Sequence, residues 1–395
     1  MRTSGPRAAA VSVAAGVLAA AGPVATGVAI AGSPPAPIVR PAAPAGGGAP
    51  GTVGGPELTR PGVIVNYPSP RSPRLPRVPA SAFVIADATT GQVLAAKQPH
   101  ARYGPASTLK ILTAVSLIPV LDPNATVLAS KRAVSVEPDV VGLKLGHPYK
   151  IADLFRALLL ISGNDAAIAL AEATGSFGKG IAFMNAEARH LQAYDTVAMQ
   201  PNGLDAPGQH VSAYDEALIA RQALRMPAFL SYAETLTTWF PITQRHRIEL
   251  FNEDQLLTTY RGFIGGKTGW TTPAMATYVG MARRDGHTLI VTVLHAVPGT
   301  LFTSAAAMLD WGFRMDGKIQ PVGQLAGPLP PPALASQRSA APGRHMTAAR
   351  AAAHRARASA AAGMLMPFTA GCMTFAALAF GVYGLARRRR SAAMR

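Results

Sequence analysis

Cysteine is almost missing from this 395-residue chain, which has only Cys372. A lone thiol cannot close an intramolecular disulfide, so the folded part must hold together through its own apolar core. Charge is scarce too, at 14% of residues, and acid is nearly confined to the middle. Residues 318–395 contain no Asp or Glu against eleven Lys and Arg, and residues 1–80 contain one acid against seven arginines. The whole excess of +17 therefore lies at the two ends, while residues 81–317 are neutral, with nineteen basic and nineteen acidic side chains. A nucleic-acid-binding domain needs a basic face on its folded part, so this distribution argues against nucleic acid despite a pI near 10.6. The nine histidines form no H-E-x-x-H or similar ligand spacing, which leaves no metal and no other cofactor implied. No G-x-S-x-G elbow and no internal repeat appear either.

What the ends do contain reads as targeting. Arg2 and Arg7 precede AAAVSVAAGVLAAAG, and Ala29-Ile30-Ala31 offers a small-residue cleavage site, so residues 1–31 are expected to be a signal peptide; an uncleaved N-terminal anchor is the alternative. Residues 32–80 are rich in Pro and Gly and read as a disordered spacer. Residues 318–362, with PLPPPALASQ and then Ala/Arg-rich sequence, read as a linker. Residues 363–386 are free of charge and long enough to span a bilayer, and residues 387–395 begin with four arginines. By the positive-inside rule that tail stays in the cytoplasm. The expected location is the cell membrane, single-pass, with residues 81–317 outside.

Within that central domain AFVIADA, TTG and QVLAAK read as a β-hairpin, and TYVGMA, RRDG and HTLIVTVLHA as a second one near its end. Residues 151–160, 165–173 and 211–224 read as helices, and another runs through SAAAMLDWGF. Strands from both ends of the domain around a helical middle predict an α+β fold. PASTLK, continuing into ILTAVSLI, sets Ser107 and Lys110 three residues apart at the start of a helix that is apolar nearly all round. On one helix face Lys110 can reach the Ser107 hydroxyl, and an apolar setting would favour its neutral form. Ser162-Gly163-Asn164 stands between two helices, and IGGKTGWT contains Lys267, Thr268, Gly269 and Trp270. A second Ser-x-x-Lys, Ser176 to Lys179, sits among glycines where a rigid helix is not expected.

Ser-x-x-Lys, Ser-Gly-Asn and Lys-Thr-Gly in this order resemble the penicillin-recognising serine peptidases and serine β-lactamases. LLLISGNDAAIALAE, NGLDAPGQHVSAYDEALIAR and YRGFIGGKTGWT resemble more closely the low-molecular-mass D-Ala-D-Ala carboxypeptidases. The resemblance implies a DD-peptidase/β-lactamase-like fold and an enzyme that removes the terminal D-Ala from peptidoglycan stem pentapeptides and binds β-lactam antibiotics. It implies Ser107 as nucleophile, Lys110 as its base and Ser162 as proton relay. Asn164, Lys267, Thr268 and Gly269 would bind substrate, and the backbone N–H groups of Ser107 and Trp270 would form the oxyanion hole. The family often carries a separate β-rich domain after the catalytic one, where only a spacer is expected here before the membrane span, and Asp254 stands where a second Asn is expected. A serine β-lactamase and a catalytically silent cell-wall-binding scaffold remain as alternatives. Against the first, no glutamate between Asn164 and Lys267 is followed four residues later by Asn.

Overall fold

The computed structural model describes residues 52–330. The expected signal peptide, membrane span and basic tail therefore lie outside the described residues. Among the described residues no helix is long and apolar enough to cross a membrane.

A 3-10 turn at Pro56–Thr59 leads into β1 (Val63–Ile64), β2 (Ala80–Asp87) and β3 (Gln92–Lys97). A second 3-10 turn, Ala106–Thr108, runs directly into α1 (Leu109–Leu117). The middle of the chain holds β4 (Thr126–Leu128), α2 (Lys131–Val134), β5 (Pro148–Lys150), α3 (Ile151–Leu160), α4 (Asn164–Ala173), α5 (Phe177–His190), α6 (Ala213–Ala223) and α7 (Pro227–Ala233). After β6 (Thr237–Pro241), β7 (Arg247–Phe251) and α8 (Leu256–Thr259) come β8 (Phe263–Thr271), β9 (Met275–Arg284), β10 (His287–Ala296), α9 (Leu301–Met315) and β11 (Gly323–Gln324).

The main sheet runs β1-β3-β2-β10-β9-β8, with β11 also paired to β3, and its pairs are antiparallel. Both expected hairpins form, and β2 pairs with β10 so that Val84 faces Thr292 across the two ends of the domain. The α+β architecture follows. Strands β2, β3, β9 and β10 are largely buried on both faces, which is why they read as apolar runs and not as an alternation. Ala82, Val84 and Ala86 of β2 belong to one core with α1 and α6, while Phe83 and Ile85 belong to a second with Met308 and Trp311 of α9. The helical core around α1 is dense enough to bury all nine of its residues, Lys110 included.

Three expectations are corrected. The spacer assigned to 32–80 is folded from residue 52 onward: β1 pairs with β3, Leu58 and Ile64 are buried, and Pro73 accepts a hydrogen bond from the Trp311 indole N–H at 2.9 Å. The linker assigned to 318–362 likewise begins too early. Val322 and Leu325 are buried, β11 extends the same edge, and Tyr214 donates to the Gln324 carbonyl at 2.8 Å. Both segments contain single apolar residues spaced by Pro and Gly, a pattern with no period, yet each is enough to cover an open strand edge.

The third correction concerns Ser176 to Lys179. This stretch does begin a helix, α5, and Ser176 is its N-cap, accepting from the Lys179 backbone N–H at 3.1 Å. Glycine is tolerated there because α5 packs onto α4 at close range. A Cβ on Gly180 would come within 2.7 Å of Ala171 Cα.

A chain cut to residues 81–317 loses both partners of the outer edge of β3 and is expected to unfold at a lower urea concentration than residues 52–330. Leu58→Ala in the longer chain should cost about 2–5 kcal/mol, the usual range for a buried leucine. Equal urea midpoints for the two lengths would mean that the flanking segments do not belong to the folded unit.

Candidate active site

The site begins at a sharp bend. Ala106 has φ 48, a left-handed backbone that costs a residue with a side chain about 1–3 kcal/mol, so its surroundings must hold it there. They do so through Pro105, whose carbonyl oxygen accepts from the Thr108 hydroxyl at 2.7 Å and from the Thr277 hydroxyl of β9 at 2.9 Å. The bend presents Ser107, half-buried, to a cleft of about 300 Å³ whose walls include Ser162, Thr268, Gly269 and Trp270. Lys110, Asn164 and Lys267 are buried and are not part of its lining.

Lys110 Nζ lies 2.8 Å from Ser107 Oγ, 3.1 Å from Ser162 Oγ, 2.7 Å from Asn164 Oδ1 and 2.8 Å from the Asn202 carbonyl oxygen. Two of these four neighbours can only accept. A neutral amine has two protons for the two carbonyl oxygens and a lone pair left for a serine hydroxyl, so its bonding capacity matches the site. Burial pushes the lysine well below its ordinary pKa, and the charge on Lys267 acts in the same direction. Asp139, Glu253 and Asp165 oppose them.

Ser162 occupies the short connection between α3 and α4 with φ 61, and Asn164 opens α4. Asn164 faces Lys110. It is 1% exposed, with its oxygen toward Lys110 and its Nδ2 donating to the Pro138 carbonyl at 2.6 Å, so in this structure the amide positions the lysine. Asp165 completes the arrangement by accepting from the backbone N–H groups of Val141, Gly142 and Leu143 at 2.8–3.0 Å. These bonds fix the loop that brings Asp139 to the cleft.

The opposite wall is β8. A Cβ on Gly269 would lie 2.6 Å from the Ser107 backbone nitrogen and would also strike the Thr277 hydroxyl, so glycine here lets the Ser107 turn sit directly against the strand. Lys267 is 2% exposed and donates to the Thr268 carbonyl at 2.9 Å. Burial lowers its pKa, while Glu253, Asp254 and Asp139 raise it. Asp254, the unexpected acid, is thereby given a purpose. Both its oxygens accept from the Tyr278 hydroxyl, at 2.9 and 3.0 Å, and burial lifts its pKa to about 6 even though Lys267 pulls it down. Trp270, 60% exposed, stands at the rim of the cleft.

Sequence reasoning did not find Asn202, which acts through a backbone carbonyl and leaves no side-chain signature. It also did not find Asp139 and Glu253, which reach the cleft from loops distant in sequence. Asp165 adjoins Ser-Gly-Asn and was within reach of a closer reading. Two groups that histidine spacing did not reveal, Asp87 with His287 and Asp316, and His100 with Asp195 and Asp215, come together outside the cleft. Both contain His–Asp ion pairs.

The model of the D-alanyl-D-alanine carboxypeptidase family matches residues 69–297. The chain is 38% identical over 248 residues to D-alanyl-D-alanine carboxypeptidase DacB2 of Mycobacterium tuberculosis, covering 61% of this chain and 85% of that protein. It is 34% identical over 264 residues to D-alanyl-D-alanine carboxypeptidase DacD of Salmonella typhimurium, covering 63% of this chain and 66% of that one. A crystal structure of a D-alanyl-D-alanine carboxypeptidase from Mycobacterium tuberculosis superimposes with a TM-score of 0.63 at 36% identity, covering 66% of this chain and all of that chain. With the motif residues meeting at one cleft and the family match spanning more than half of its length, the chain belongs to the D-alanyl-D-alanine carboxypeptidase family, a family of serine peptidases with a penicillin-binding fold.

Proposed function

We propose that the chain removes the terminal D-Ala from peptidoglycan stem pentapeptides by way of an acyl-enzyme on Ser107. The observation that carries this reading is Lys110, fully buried and within 3.1 Å of two serine hydroxyls. Ser107 Oγ attacks the carbonyl carbon of the penultimate D-Ala while its proton passes to the neutral Lys110 amine. The oxyanion that forms is met by the backbone N–H groups of Ser107 and Trp270, with Gly269 keeping strand and turn close enough for both to serve. The proton then travels from Lys110 through Ser162 to the leaving nitrogen, the C–N bond breaks, and D-Ala departs. Water activated by Lys110 hydrolyses the ester and frees Ser107. Thr268 and the positive charge of Lys267 bind the terminal carboxylate, while Asn164 and the Asn202 carbonyl hold Lys110 in line.

β-Lactams would acylate the same serine. One observation favours a β-lactamase as the second reading: Glu253 lies on the cleft wall although no Glu-x-x-x-Asn motif announces it. Among the charges that raise the pKa of Lys267 Glu253 comes first, which fits a counterion better than a base for water.

The arginine pattern supports a chain exported by residues 1–31 and held in the membrane by residues 363–386, with the catalytic domain outside. Protease added to intact spheroplasts is expected to release the domain and spare a C-terminal tag. Digestion of the tag without permeabilisation would contradict this topology.

Ser107→Ala is expected to abolish labelling by a fluorescent penicillin, and Ser176→Ala to leave it intact because that hydroxyl caps α5. Labelling that persists in the first variant would sink the nucleophile assignment. Given a D-Ala-D-Ala pentapeptide the chain should release D-Ala over many turnovers, whereas its penicilloyl adduct, followed by mass spectrometry, should last minutes or longer. Rapid penicilloate release without any D-Ala would decide for the β-lactamase.

A further inference from the structure

Behind the nucleophile's turn is a buried carboxyl group that the reaction as written does not use. Glu216, on α6, is 1% exposed, and its Oε1 lies 2.6 Å from Thr108 Oγ1. Its Oε2 is buried and has no hydrogen-bond partner among the described residues. Thr108, itself fully buried, has one hydroxyl proton and two oxygens close by, Glu216 Oε1 and the Pro105 carbonyl at 2.7 Å. One proton cannot serve both: if Glu216 is ionised Thr108 donates to it, and if Glu216 is protonated the acid donates to Thr108 and the Thr108 proton is free for the Pro105 carbonyl.

We propose that Glu216 is a positioning residue for the nucleophile: protonated, it donates to Thr108 and keeps that hydroxyl on the Pro105 carbonyl; ionised, it draws the Thr108 proton to itself and frees the turn that carries Ser107. The proposal rests on Ser107 being the nucleophile.

The Pro105 carbonyl is the point where the turn is pinned to the sheet, since Thr277 of β9 donates to the same oxygen at 2.9 Å. Loss of the Thr108 bond leaves Thr277 alone to hold a bend that Ala106 adopts only under constraint. The distance between Ser107 and Gly269 then relaxes, and with it the geometry for attack. A buried carboxylate with one bare oxygen is costly, whereas the acid is cheaper to bury. Burial accordingly pushes Glu216 up to about 7, the Thr108 bond opposing and the charge of Asp215 adding to it. Helix α6 packs against α1, β2, β9 and β10. The charged side chains and histidines on those elements are Lys110, Asp87, Arg283, Arg284, His287 and His295.

The sign of the effect follows. Acylation should rise with pH as Lys110 loses its proton and should be held back above neutrality as Glu216 loses its own. Glu216→Gln keeps a neutral donor that cannot ionise. With the full chain and a fluorescent penicillin, the acylation rate of E216Q divided by that of the unmodified chain cancels the Lys110 limb. This ratio is expected to rise by up to about thirtyfold between pH 6 and pH 8.5, the limit set by titration of one group near pH 7 when only its protonated form supports acylation. A purely structural role would lower the unfolding temperature of E216Q and leave the ratio flat, and a flat ratio overturns the proposal. Should E216Q fail to fold, Thr108→Ser and Thr108→Val carry the same test. T108S should keep the alkaline limb and T108V should lack it, and matching limbs in the two would overturn the proposal. No labelling of the unmodified chain at any pH would take down the Ser107 reading as well, whereas a flat ratio with normal labelling takes down this one alone.

Discussion

The burial of the Lys110 amine among four oxygens is the constraint on which the rest of the site depends. An ammonium taken out of water costs several kcal/mol unless it is well paired, and among the described residues no carboxylate forms an ion pair with this one. The fold therefore selects the neutral amine, the form that can accept a proton from Ser107. The selection requires α1 to be enclosed on every side, hence the apolar faces of α3, α4, α5 and α6 around it. It also requires that the acceptors be rigid, which is the work of Asp165 on the neighbouring loop and of Pro138 on the Asn164 amide.

The sheet supplies the second half of the site. Because β8 carries glycine at position 269, the turn bearing Ser107 approaches the strand closely, as the proposed oxyanion hole between them requires. Lys267 on the same strand contributes positive potential from a buried position, balanced by Glu253 and by Asp254, which Tyr278 holds through its hydroxyl. Removal of water strengthens each of these charges, so the cleft can recognise a carboxylate and stabilise an oxyanion with few groups. The two halves meet at the Pro105 carbonyl, bonded by Thr108 from the helix side and Thr277 from the sheet side.

Much of this was legible in the residues themselves. The hairpins declared themselves as apolar runs broken by TTG and RRDG, and the helices over 151–160 and 164–173 by their period, because each is a local pattern with local punctuation. The Ser107–Lys110 pair was readable for the same reason: a spacing of three on a helix fixes which side chains meet. Helix α5 was misjudged because the glycines at 178 and 180 lower local propensity. The packing that overrides propensity there comes from α4.

By itself the sequence determined the α+β class, the three motifs and their order, and the unequal charge of core and ends, all of which depend on neighbours along the chain. Only the tertiary structure decided that the folded unit reaches from 52 to 330, since single residues such as Leu58 and Val322 gain meaning only against the edge of β3. It alone turned Asn164 inward, brought the Asn202 carbonyl to Lys110 and set Glu216 against Thr108, 108 positions earlier in the chain. Hydrogen bonds between segments so far apart have no spacing from which they can be read. They exist because the core closes around them.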